Sequence, residues 1–197
     1  MNKKQMIGKN NEQMSAHFAA IYAPEERKLV FGYGDPRAKT ILVGEAPGEQ
    51  EALQGRPFVG KAGKILDEFL KKTQLAREDV YITNVVKLRP TAISKAGRTV
   101  NRAPSREEIG LFRPWLQKEI EIIAPDYIIT LGNIALKTLA DNKAAVIGDF
   151  HGKVYPEKIL GAKLFPLYHP AAVIYNRALK DVYDADLEVL RGIFADR

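Results

Sequence analysis

The chain has 197 residues, of which 46% are hydrophobic and 27% charged, and its 30 Lys and Arg against 24 Asp and Glu leave a formal charge of +6. That length supports one soluble domain, 1–197, with a continuous core, and the basic balance favours a polyanionic partner. Zero cysteines exclude disulfides, thiolate nucleophiles and Cys-ligated zinc or iron–sulfur centres. The three histidines are scattered, so neither metal nor cofactor is expected. No apolar run approaches the roughly 20 residues that span a bilayer, and Met1–Asn11 is polar rather than signal-like. A cytoplasmic monomer without membrane attachment is the expectation.

In chain order, short apolar runs bounded by turn residues predict strands at Thr40–Gly44, Val80–Val86, Tyr127–Leu131 and Lys163–Tyr168. Helical spacing predicts helices at Ala62–Lys72, Arg106–Ile123, Asn133–Ala140 and Leu179–Phe194. The alternation implies an α/β fold, three-layered, with a central, mostly parallel four-stranded sheet flanked by helices. Pro90–Pro104, rich in Lys, Arg, Gly and Ser, reads as a mobile loop on the active edge.

Ligands of such sheets bind beyond the carboxyl ends of the strands. The residues just after each strand are polar or turn-forming: Glu45-Ala46-Pro47-Gly48, Asn84 with Lys87-Leu88-Arg89-Pro90, Gly132-Asn133, and His169-Pro170. Val43-Gly44-Glu45-Ala46-Pro47-Gly48-Glu49-Gln50-Glu51, continuing through Gly55-Arg56-Pro57-Phe58-Val59-Gly60-Lys61-Ala62-Gly63, resembles the first motif of family 4 uracil-DNA glycosylases. Tyr81–Lys87, Asn101–Pro104, Pro125 through Gly132, and Tyr168-His169-Pro170 follow in the order of that family. The resemblance extends over about residues 29–190.

It implies an enzyme that flips uracil out of DNA, hydrolyses the N-glycosidic bond and leaves an abasic site. A base removed from the stack needs a flat apolar face and a hydrogen-bonding edge. Phe58 is then the stacking face, with Ala46 beside it. Asn84 is the reader, because its amide accepts from uracil N3–H and donates to O4, a pairing that cytosine reverses. His169 takes the place of the donor to O2, where charge develops as the bond breaks. Some related enzymes carry an aspartate that holds the attacking water where this chain has Ala46. Glu45, Glu51 or backbone around Ala46 are left to hold it, the alternative for Glu51 being to face uracil C5 and exclude the thymine methyl.

The loop Pro170–Arg177 corresponds to a minor-groove wedge, in which Val173, Ile174 and Arg177 would occupy the space of the extruded nucleotide. Lys61, Lys87, Arg89, Arg98 and Arg102 are candidate phosphate contacts. Excision of other deaminated or mismatched bases, and a non-catalytic DNA-binding role, are the competing readings.

Two departures stand out. Family 4 enzymes hold an iron–sulfur cluster through cysteines near the N-terminus and in mid-chain; the mid-chain positions are Leu88 and Phe112 here, and the N-terminal pair falls within Gln13–Ala23. Apolar residues there imply a site filled by side chains. His151 stands before Gly152 where an arginine is frequent, which leaves it either near DNA or in a surface turn.

Overall fold

The structure, a computed structural model, describes residues 1–25 and 27–195. The chain opens with α1 (Lys3–Tyr22), whose start is fixed by reciprocal hydrogen bonds between Asn2 and Gln5. Next come β1 (Tyr33–Gly34), β2 (Thr40–Gly44), α2 (Glu49–Gln54), α3 (Lys61–Lys72), β3 (Tyr81–Asn84), β4 (Thr91–Ile93) and β5 (Thr99–Asn101). They are followed by α4 (Arg106–Ile123), β6 (Tyr127–Leu131), α5 (Asn133–Leu139) and α6 (Ile147–Phe150). The chain closes with β7 (Tyr155–Ile159), β8 (Ala162–Leu167), α7 (Pro170–Tyr175) and α8 (Leu179–Ala195).

The main sheet has the order β1-β3-β2-β6-β8-β7. Its centre is the expected parallel set, β3, β2, β6 and β8. The sheet is nevertheless six-stranded rather than four-stranded, because β1 and β7 add antiparallel edges. Both edges are short or irregular, which limits pairing with other chains.

The parallel strands are apolar on both faces because helices cover both. Ile41, Val43, Tyr81, Ile128 and Leu164 pack with Met14, Phe18, Phe112, Leu116 and Leu136, from α1, α4 and α5. Leu42, Ile82, Ile129 and Phe165 pack with Leu66, Phe69, Tyr183 and Leu187, from α3 and α8. These are the three predicted layers. No helix among the described residues is long and apolar enough to cross a membrane.

The seam between α1 and α4 lies where the family's cluster would be tethered. Phe112 is fully buried and stacks on Phe18 with centroids 4.1 Å apart and planes at 12°, and Phe18 stacks in turn on Tyr22 at 5.9 Å. Leu88 is buried in the same cluster. The residues present do not fit an iron–sulfur centre: the positions carry packed carbon and the chain supplies no thiolate.

The segment read as a mobile loop contains a β-hairpin. β4 and β5 pair antiparallel, with Thr91 opposite Asn101 and Ile93 opposite Thr99. The turn closes through Gly97 N–H to the Ser94 carbonyl (2.9 Å) and Ser94 N–H to the Arg98 carbonyl (2.9 Å). Gly97 adopts φ +72°, which a residue with a Cβ resists.

Candidate active site

β2, β3, β6 and β8 run parallel and end on one edge, so the segments that follow them converge there. A cavity of about 460 Å³ opens between them, within the roughly 300–1,000 Å³ of small-molecule sites. Ala46, Phe58, Asn84 and His169, each assigned from the sequence, all line it. Glu51 does too.

Phe58 is held in the left-handed region, φ +54°, a conformation that costs a bulky residue about 1–3 kcal/mol. Its neighbours explain how it persists. The Glu51 carboxylate accepts hydrogen bonds from Gly48, Val59 and Gly60 N–H at 3.1, 3.0 and 2.8 Å. Arg77 donates to the Pro57 and Phe58 carbonyls at 3.0 and 2.8 Å. Gly63 lets the start of α3 press against this turn, since a Cβ there would lie 2.1 Å from the Phe58 carbonyl oxygen. Glu51 therefore shapes the pocket wall, with both oxygens drawn into the backbone bonds of the turn and Oε2 accepting a single one of them. Arg77 was not singled out from the sequence, because its targets are backbone atoms about twenty residues earlier.

Asn84 ends β3 in a buried position, and its Oδ1 accepts no hydrogen bond from the protein among the described residues. Gly44, on the neighbouring strand, leaves room for this oxygen and for the Phe58 ring: a Cβ there would lie 2.4 Å from Asn84 Oδ1 and 2.6 Å from the ring. Behind Asn84 is a buried polar network. Lys87 Nζ donates to the Asn84 backbone carbonyl (2.8 Å), to Glu119 (2.6 Å) and to Thr83 Oγ1, while Tyr81 O–H donates to the other Glu119 oxygen (2.9 Å). Burial pulls the Lys87 ammonium below the ordinary lysine range against the opposing pull of Glu119. Lys87 is thus no phosphate contact; it is wholly inside the protein, braced against the strand end that carries Asn84.

His169 follows β8 and caps α7. Its Nδ1 accepts from Ala171 N–H at 3.1 Å, which leaves Nε2 to carry the proton. Burial depresses its pKa to about 4, opposed by the Glu51 carboxylate, so at neutral pH the imidazole is uncharged. The ring lies 6.0 Å from that of Phe58. Gly132, at φ +90°, follows β6 beside it; a Cβ there would lie 3.0 Å from His169 Cβ.

Glu45 is half-buried and its carboxyl is pushed upward by desolvation, but it is not among the residues forming the cavity wall. Glu49, Gln50, Lys61, Asn101, Ala171 and Ile174 also line the cavity, with Gly48, Gly60 and Ala62. Of the wedge, Ile174 is exposed at the cavity mouth, whereas Val173 packs against the α3–α8 core and anchors α7 instead. Arg177 is exposed nearby. Arg89 is engaged by Asn101 Oδ1 (2.7 Å) and Glu49 (3.3 Å), and Arg102 forks onto Glu108 (2.7 and 2.8 Å), so both cations tie down the hairpin base. His151 is outside the pocket as well: its Nδ1 meets Asp186 on α8 at 2.8 Å and its ring lies 4.8 Å from Tyr168.

Residues 31–191 match the model of the uracil DNA glycosylase superfamily. The chain is 41% identical over 162 residues to the type-4 uracil-DNA glycosylase of Archaeoglobus fulgidus, covering 80% of this chain and 77% of that one. It is 40% identical over 177 residues to the type-4 enzyme of Saccharolobus solfataricus, covering 87% and 78%. To that of Thermotoga maritima it is 40% identical over 162 residues, covering 81% and 80%. The crystal structure of SMUG2 from Pedobacter heparinus superposes with a TM-score of 0.58 over 81% of this chain and 76% of that one, at 17% identity, a likeness of fold. The chain belongs to the uracil-DNA glycosylase superfamily, and within it to the type-4 enzymes.

Proposed function

We propose that this protein, working as a single-domain cytoplasmic monomer, takes uracil extruded from DNA into the strand-end pocket and hydrolyses its N-glycosidic bond, leaving an abasic site. The observation that carries this is the buried Asn84 Oδ1, which has no donor among the described residues and lies beside the Phe58 ring. Uracil supplies that donor at N3–H and accepts from the Asn84 amide at O4, while Phe58 stacks on its face. Cytosine offers a lone pair at N3 and an amino group at C4, so both contacts fail. An unpaired buried polar group costs about 1–3 kcal/mol, which makes two failures a strong filter.

When the C1′–N1 bond breaks, its electron pair leaves with uracil and charge builds on the carbonyl oxygens. His169 Nε2–H, neutral and of fixed tautomer, donates to O2 without surrendering its proton. Water adds to the oxocarbenium-like C1′ and releases a proton to solvent. Glu51, which lines the cavity and whose Oε2 accepts one backbone bond, the backbone at Ala46 and the Glu45 carboxylate just behind the wall are the groups available to hold that water. Ile174 and Arg177 would enter the minor groove behind the departing base.

Labelled oligonucleotides containing uracil, single-stranded or opposite G or A, should acquire alkali-labile sites on incubation with the protein. Asn84→Asp should slow uracil excision and raise that of cytosine, because a protonated carboxyl donates where the amide accepted. An absence of alkali-labile sites in all three substrates, or an unchanged uracil rate in the variant, overturns the reading.

A further inference from the structure

We propose that the β4–β5 hairpin is a second DNA-gripping arm, holding the strand that carries the target nucleotide from the side of the pocket opposite α7. This rests on the reading of DNA as the partner. The cavity mouth is bounded by Ile174 from α7 and by Asn101 from β5, so a strand delivering a nucleotide between them must pass the hairpin.

The hairpin's composition fits that strand. Between Pro90 and Pro104 there is no Asp or Glu, while Lys95 and Arg98 flank the turn. Among the described residues neither is paired with a carboxylate, in contrast to Arg89 and Arg102 at the base. Two cations free of partners on a projecting turn are electrostatically complementary to phosphodiesters, whose condensed counterions they would displace.

Register supplies the second part. Opposed residues of an antiparallel pair share a face, and residues two apart along a strand do as well. Asn101, which lines the pocket, therefore shares its face with Thr91, Ile93 and Thr99. Ile93 is 72% exposed, unsupported by any core and directed with Asn101. It is placed to lie against the sugar or the unstacked base next to the extruded nucleotide. Arg89 holds Asn101 Oδ1, which leaves the Asn101 amide N–H groups directed to acceptors at the mouth.

The hairpin base is anchored by Arg89 and Arg102, and the tip by its own backbone bonds, so substitutions at exposed tip positions leave the fold intact. In Lys95→Gln/Arg98→Gln, the dependence of log Kd on log salt for a uracil-containing duplex should flatten by about 1.8, or about 0.9 per lost phosphate contact. That corresponds to about 30-fold weaker binding near 0.15 M salt, with single-turnover excision at saturating enzyme unchanged. Ile93→Ser should weaken binding by on the order of tenfold with an unaltered salt slope, as expected for lost apolar contact. The same measurements on uracil-free DNA separate this proposal from the preceding one. A wild type that cuts no uracil while the double variant loses slope ends the excision reading and leaves the arm standing. An unchanged slope in an active enzyme, or a fall in the saturated rate, overturns the arm.

Discussion

Phe112 and Phe58 are both buried phenylalanines, and their surroundings differ in every other respect. Phe112 occupies ordinary helical backbone in α4, stacks on Phe18 at 4.1 Å and is enclosed by aliphatic side chains. Phe58 sits at φ +54°, maintained by Glu51 and Arg77 through the backbone on either side, and presents its ring to a cavity beside an unpartnered oxygen. Local preference, packing and polar satisfaction agree at the seam, as in sequences that fold to one state. At the strand ends they conflict, and the conflict is sustained because the same arrangement keeps a stacking face and a reading edge ready before any base arrives. The difference teaches where substitutions should be felt: seam changes in stability, strand-end changes in rate.

The sharpest way to break that division is Phe112→Ala. Removing a fully buried ring should lower the unfolding free energy by about 3–5 kcal/mol, read by chemical denaturation. Single-turnover excision below the melting transition should match wild type. A loss of rate at unchanged stability would show that the seam participates in the chemistry.

His169→Ala makes the converse case. One lost preorganised donor costs typically about 2.7–4 kcal/mol of barrier, so single-turnover excision should fall about 10²–10³-fold. DNA affinity should change far less, because the charge that the donor stabilises is absent from the ground state. A folded variant cutting within threefold of wild type would remove His169 from the mechanism and turn attention to Glu45.

The same contrast shows what was legible in the sequence. Thr40–Gly44, Tyr127–Leu131 and Arg106–Ile123 could be read to the residue because each is an uninterrupted apolar run or a long amphipathic repeat closed by turn residues. α1 was missed because its buried face carries Ile7, Asn10, Met14 and Phe18, one of them polar, in an otherwise polar stretch. The hairpin was missed because Ile93 and Val100 remain exposed, so no buried face marks its strands. In the pocket, Phe58, Asn84 and His169 lie in motifs directly after strands or in glycine turns. Lys87 misled for a physical reason: a lysine just past a strand end reads as a surface cation until its partner is known. That partner, Glu119, lies on a distant helix. The bonds from Val59 and Gly60 N–H to Glu51 were not legible either, since they span eight and nine residues across a turn.

The smallest effect, and the one that sharpens the account of His169, concerns pH. An imidazole in the unfolded chain takes up its proton near pH 6.5, whereas burial delays uptake in the folded protein to about 4. Between those values the unfolded state binds more protons, so stability declines as pH falls from about 6.5 toward 4; above 6.5 this residue contributes no pH dependence. His169→Ala removes that share, and the melting temperature of wild type should fall faster than the variant's between pH 6.5 and 4.5. Catalysis should behave oppositely. The donor is the neutral Nε2–H form, fully populated from well below pH 6 upward, so single-turnover excision should show no ionisation of His169 between pH 5 and 8. A rate that climbs toward acid with a midpoint near 6.5 would mean that imidazolium is the active form. The bond from Ala171 N–H to Nδ1 would then have to break before the reaction, because a doubly protonated ring cannot accept it.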